Sequence, residues 1–123
     1  MKTRLTVDGF HFESAHNLYN YDGKCKNLHG HSYKLSVTVE GQVDKNGFII
    51  DFGKIKELVY ERVISRYDHQ YLNKLVNYNP TAENLAQRIA HDLANAFTLH
   101  CDGVRLVSVR LWETENCMVE VEL

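Results

Sequence analysis

One proline in 123 residues, no repeat and no low-complexity tract leave nothing in the sequence to serve as a linker between domains. A single domain over residues 1–123 is therefore expected, large enough to bury about two thirds of the surface its unfolded chain would expose. The three cysteines, Cys25, Cys101 and Cys117, are odd in number and unevenly spaced, which argues against a disulfide framework and fits a reducing compartment. No apolar run approaches the ~18–20 residues of a spanning helix, and Met1 to Arg4 leads into a strand-like stretch with no signal-peptide core. An excess of one charge is missing too: the formal net charge of −2 exerts no pull toward nucleic acid or anionic lipid. The expectation is a soluble cytoplasmic protein with no nucleic-acid partner and no membrane association.

Histidine is well represented, and its placement is uneven. The stretch Cys25-Lys26-Asn27-Leu28-His29-Gly30-His31 holds one thiol and two imidazoles, and it runs into the alternating segment Ser32 to Val39. Alternation predicts a strand from about Leu28 to Glu40, on which His29 and His31 share a face with Tyr33, Leu35, Val37 and Val39. A first strand, roughly Thr3 to Ser14, changes phase near Asp8-Gly9, as a bulge would make it do. In its second phase Phe10, Phe12, Ser14 and His16 project alike, which puts His16 at the end of a core-facing row. Three imidazoles from two strand ends suit zinc and leave one coordination position open, as catalytic zinc sites do. A closed structural site of Cys25 with the same three histidines fits the spacing as well.

Beyond these strands, Asp44-Lys45-Asn46-Gly47 reads as a turn and Phe48-Ile49-Ile50 as a short strand or strand extension. Asp51 caps a helix over roughly Phe52 to Arg66, with Ile55, Leu58, Val59 and Val63 at helical spacing. Tyr67 to Asn73 has no clear period. A second helix starts at Asn79-Pro80-Thr81, its stripe being Leu85, Ile89, Leu93, Ala96 and Phe97, and it ends before Asp102-Gly103. Two more strands follow, Val104 to Thr114 and Cys117 to Leu123, with Val107, Val109, Leu111 and Glu113 on one face of the former and Cys117 as a small core residue of the latter. The order ββααββ predicts an α+β domain whose antiparallel sheet carries both helices on one face. Its other face, mixed in character at Thr38, Glu40, Arg105 and Arg110, would then be covered by other subunits.

Two further groups carry chemistry. Cys25 lies in a polar loop between Lys24 and Lys26, where cationic neighbours favour a thiolate that would serve as base or nucleophile. Asp68-His69 offers an orienting carboxylate and a proton shuttle, although such adjacent pairs also occur on ordinary surfaces. Glu113 points where an unpaired carboxylate is costly, so it needs either Arg105 or Arg110 or a ligand presenting adjacent N–H donors. His11, His91 and His100 read as structural.

Taken in order, His16, Cys25-x-x-x-His29-Gly30-His31, Asp68-His69, Pro80-Thr81-x-Glu83-Asn84 and Trp112-Glu113-Thr114 resemble the 6-pyruvoyl-tetrahydropterin synthase family. Within it the resemblance is to the 6-carboxy-tetrahydropterin synthases of bacterial queuosine biosynthesis. It implies the tunnelling fold, in which subunits join their sheets into an oligomeric β-barrel, trimer-based or hexameric, with active sites between subunits. It also implies His16, His29 and His31 as Zn2+ ligands, Cys25 as the catalytic thiol, Asp68 and His69 as a proton relay, and Glu113 as the carboxylate gripping the pterin, with Thr81 near the pterin. The implied substrate is 7,8-dihydroneopterin triphosphate, the implied products 6-carboxytetrahydropterin, acetaldehyde and triphosphate, and Lys24 and Lys26 are placed to steer the triphosphate. Against this stand triphosphate elimination to the 6-pyruvoyl product, an aldolase-like cleavage without triphosphate loss, and a non-enzymatic structural metal-binding module. The three-residue gap between Cys25 and His29 favours the carboxy product, since the pyruvoyl branch usually has a wider one. Cys25 itself argues against the aldolase, which tends to carry glutamate there.

Overall fold

Two long strands carry the candidate site at their meeting ends, in a computed structural model that describes residues 1–123. Strand β1 (Thr3–His16) pairs antiparallel with β2 (His29–Gly41) from Thr3 opposite Gly41 to His16 opposite His29. The register shifts between Val7 and Phe10, where Gly9 has φ of +85°, a conformation that costs a glycine little. This is the phase change expected at Asp8-Gly9. It lets both Val7 and Phe12 face the core, and it aims the last row of the strand so that Ser14 and His16 are buried behind Phe12.

Strand β1 carries β3 (Gln70–Tyr71) on its far edge, parallel to it at Ser14 and Ala15. On its other edge β2 pairs with β4 (Arg105–Thr114), and β4 with β5 (Cys117–Glu122), both antiparallel. The sheet order is β3-β1-β2-β4-β5, an open sheet edged by β3 and β5.

The helices form where caps and apolar spacing put them. Asp51 accepts the Gly53 N–H at 2.7 Å and starts α1 (Phe52–Val59), which continues through a π-helical stretch at Tyr60–Ile64 into α2 (Ser65–Tyr67). After α3 (Leu72–Leu75), the Thr81 hydroxyl accepts the Asn84 N–H at 3.1 Å and caps α4 (Ala82–His100). Ile55, Leu58, Val59 and Val63 from the first helical run, and Leu85, Ile89, Leu93 and Phe97 from α4, form one cluster with Leu35, Val37, Val39, Val109 and Leu111 of the sheet. Both runs thus cover one face. On the other, Arg4 and Arg105 flank Glu40 at 3.1 and 2.8 Å, Thr6 and Thr38 share a hydrogen bond, and Arg110 meets Glu120 at 2.9 Å.

The structure corrects several expectations. Phe48-Ile49-Ile50 is not a strand: the Asp44 side chain accepts the Asn46 and Phe48 N–H groups at 2.8 and 3.0 Å, and the Asp44 N–H bonds the Phe48 carbonyl, so the turn consumes the ladder groups. Cys117 is exposed, because it opens an edge strand directly after a turn. A register shift between Thr38 and Val39 sets Leu106 opposite Val39, so Leu106 rather than Val107 joins the core cluster on β4. The first strand runs two residues further than Ser14, to His16, and the aperiodic Tyr67–Asn73 segment holds β3 and the start of α3.

Candidate functional site

His16 ends β1 and His29 opens β2, and as cross-strand partners they must face each other. Their Nε2 atoms are 3.0 Å apart. His31, two residues on, stands on the same face, and the ligand atoms of the three rings all lie within 4.8 Å of one another. Beneath them Tyr33 stacks on Phe12 with ring centroids 4.9 Å apart, an apolar floor whose phenol burial drives well above its ordinary value and so keeps neutral.

The outer nitrogen of two rings is fixed by backbone. His16 Nδ1 lies 2.8 Å from the Pro80 carbonyl and His29 Nδ1 2.7 Å from the Asn27 carbonyl. A carbonyl can only accept, so each Nδ1 carries the proton and each Nε2 presents a lone pair to the cluster. The third ring contributes His31 Nε2, a buried atom with no hydrogen-bond partner. Burial, outweighing the attraction of the Glu113 carboxylate, holds both His16 and His31 below the ordinary imidazole value of 6.5, which again keeps them neutral. Each uncompensated buried polar group costs about 1–3 kcal/mol. Converging lone pairs with backbone-fixed outer nitrogens are what a divalent cation needs, and the donor set fits one.

Glu113 completes this end of the sheet. It sits at a register irregularity between Trp112 and Thr114, and its two oxygens lie 3.7 Å from His31 Nε2 and 3.9 Å from His16 Nε2. Arg105 and Arg110, the simple alternatives for pairing it, are engaged by Glu40 and Glu120 instead. With 26% of its side chain exposed, the carboxylate is open to a ligand arriving beside the imidazoles.

Asp68 and His69 are held together, though by different means. The Asp68 carboxylate accepts the Glu13 N–H at 2.9 Å and lies 3.1 Å from His69 Nδ1; the first contact, and then the histidine, hold its carboxyl below the usual range. The His69 N–H bonds the Glu13 carbonyl at 2.6 Å, and its φ is +58°, an unusual conformation for a residue other than glycine. That backbone turns an 80%-exposed imidazole outward from the end of α2. An open hollow of about 520 Å³ has both His69 and His31 in its wall, with Ser14, Gly30 and Gln70.

Cys25 lies half-buried in a single helical turn, Lys24–Lys26, and its sulfur is not among the clustered ligand atoms. Thr81 is the α4 cap, next to the Pro80 carbonyl that orients His16. Of the residues expected to act together, the structure thus brings His16, His29, His31 and Glu113 into one group and Asp68 and His69 into a second. Sequence reasoning missed the two carbonyls that fix the histidine tautomers. Asn79-Pro80-Thr81 was visible only as a helix start, and nothing in its composition points across 64 residues to His16.

Comparison with known proteins gives a consistent assignment. The family model described as 6-pyruvoyl tetrahydropterin synthase matches residues 4–123. The chain is 33% identical to 6-carboxy-5,6,7,8-tetrahydropterin synthase of Haemophilus influenzae, over 92% of this chain and 94% of that one. It is 36% identical to dihydroneopterin monophosphate aldolase of Pyrococcus furiosus, over 99% of both. The fold superposes on 6-pyruvoyl tetrahydropterin synthase of Caenorhabditis elegans with a TM-score of 0.84 and 25% identity, covering 100% of this chain and 96% of the other. Matched over nearly its whole length by sequence and by fold, and with three imidazoles converging where its two long strands end, the chain belongs to the 6-pyruvoyl tetrahydropterin synthase family.

Proposed function

We propose that this protein is a zinc-dependent 6-carboxy-5,6,7,8-tetrahydropterin synthase acting on 7,8-dihydroneopterin triphosphate in the queuosine pathway. The observation that carries the reading is the converging set of His16, His29 and His31 lone pairs, with Glu113 beside it and a cysteine four residues before His29. A zinc ion held by the three imidazoles supplies Lewis acidity, lowering the pKa of a substrate hydroxyl and stabilising oxyanion character.

The chain's own residues do the rest. Glu113 accepts two hydrogen bonds from the adjacent ring N–H and exocyclic amine of the pterin, which fixes the ring and aims its side chain at the imidazoles. Cys25 and His69 move protons at the side-chain carbons and hydroxyls, with Asp68 orienting the His69 ring through Nδ1. Lys24 and Lys26 attract the triphosphate. As the family resemblance implies, the active protein is a homo-oligomer of joined sheets with sites between subunits, and the 80%-exposed His69 ring is accessible to a neighbouring subunit.

The overall reaction takes one water with the substrate and yields 6-carboxytetrahydropterin, acetaldehyde and triphosphate. A 6-pyruvoyl synthase eliminates triphosphate and keeps the side-chain carbons; an aldolase breaks the side chain with the phosphate still on the departing fragment. The Pyrococcus furiosus relative named as an aldolase makes the last a real competitor, and Cys25 is the residue that favours the synthase over it. Mass analysis of the pterin formed from dihydroneopterin triphosphate tests the reading: a carboxylated tetrahydropterin supports it, and a pyruvoyl or hydroxymethyl pterin removes it.

A further inference from the structure

Between β1 and the turn that bears Cys25, residues 17–19 form a strut whose backbone groups are bonded on two sides. On one edge, the Asn17 N–H donates to the Asn73 side-chain oxygen at 3.0 Å, and the Asn73 amide donates back to the Asn17 carbonyl at 2.8 Å. Two residues on, Asn79 repeats the pattern: the Tyr19 N–H meets its side-chain oxygen at 3.2 Å, and its amide meets the Tyr19 carbonyl at 3.0 Å. Each asparagine side chain thus imitates a strand neighbour, offering the backbone one donor and one acceptor. The residue between, Leu18, donates its N–H instead to the Cys25 carbonyl at 2.7 Å.

Asn79 and Asn17 are themselves anchored. Asn79 has its carbonyl bonded by the Asn84 side chain at 2.9 Å at the start of α4, and it precedes Pro80, whose carbonyl orients His16. The Tyr71 hydroxyl donates to the Asn17 side-chain oxygen. One turn of backbone is therefore bonded both to a histidine of the cluster and, through the strut, to the backbone of Cys25.

We propose that Asn73 and Asn79 are positioning residues for Cys25, holding its loop at a fixed distance from the histidine cluster through the 17–19 strut. The proposal rests on the catalytic reading of Cys25. Without the clamps, Leu18 loses its fixed place, and the Cys25 backbone moves with it. A displacement of about 1 Å of a proton-transferring group is enough to cost on the order of 100-fold in rate.

The test compares the metal-loaded full-length protein with its Asn73→Ala and Asn79→Ala variants. Asn73 is the cleaner site, since it has no bond to the Pro80 turn; Asn79→Asp, which keeps the acceptor for the Tyr19 N–H, is the conservative partner. The expected result for Asn73→Ala is kcat lower by about ten-fold or more with KM within about three-fold, at unchanged metal per chain. Iodoacetamide labelling of Cys25, read by peptide mass, should become several-fold faster, and exchange of the amides at 17–19 should quicken. Asn79→Asp should recover part of the kcat lost in Asn79→Ala. Unaltered kcat, labelling and exchange in both alanine variants would overturn the proposal, as would metal content and melting temperature collapsing together with kcat in both. Labelling and exchange are read without turnover, so a wild-type protein that fails to process dihydroneopterin triphosphate refutes the proposed function while these two readouts still judge the clamp.

Discussion

The Nε2 atoms of His16 and His29 face each other at 3.0 Å, and neither carries a proton to share, because each ring has its proton on Nδ1 against a backbone carbonyl. A cation between them would relieve that approach. Replacing His29 by alanine should lower zinc affinity by at least about 100-fold, beyond the loss typical of an outer-sphere partner. Zinc added at 100 times its wild-type Kd should stabilise the wild type by about 2.7 kcal/mol, a rise of several degrees in melting temperature, and His29→Ala by no more than about 0.4 kcal/mol. Metal analysis after dialysis and a thermal melt check both.

The thiol is separable from the metal. Cys25 lies outside the clustered ligand atoms, so Cys25→Ala should keep the wild-type zinc content while losing about 10²–10⁴ in kcat, the range of a proton-transfer group. Zinc lost together with the thiol would instead mark the closed four-ligand site that the sequence spacing also allowed.

Glu113 owes its exposure to the irregular end of β4 and has no arginine partner. In the proposed complex, Glu113→Gln would replace one acceptor by a donor set against the pterin's own donors. The expected loss in kcat/KM is about 10- to 100-fold, equivalent to ~1.5–3 kcal/mol for hydrogen bonds to a charged group. Steady-state kinetics with the triphosphate substrate measures it.

Acid should act through Asp68. The Glu13 N–H, followed by His69, lowers its folded-state pKa below the ordinary 3.8. The unfolded chain thus binds this proton more readily, and stability from the contact is present above about pH 3.8 and lost as pH falls through the lower folded value. Asp68→Asn should flatten that part of the acid unfolding curve, followed by circular dichroism, and at neutral pH should lower kcat by leaving His69 unoriented.

Much of this arrangement could be read from residue order. Period-2 alternation placed His29 and His31 on the core face with Tyr33, and the phase change at Gly9 placed His16 opposite them. Local signals failed where a distant group decided the outcome. The Asp44 side chain outcompeted strand pairing for Phe48, and the shift at Val39 exchanged Leu106 for Val107. Likewise the Pro80 carbonyl, the φ of His69 and the amides of Asn73 and Asn79 are properties of tertiary placement, and no periodicity encodes them.

Most direct of all is the stoichiometry of acetaldehyde to triphosphate when the zinc-loaded protein turns over 7,8-dihydroneopterin triphosphate. The account predicts equal amounts of the two, with a carboxylated tetrahydropterin accumulating in step. Triphosphate released without acetaldehyde, or an aldehyde that still carries the phosphates, would contradict it.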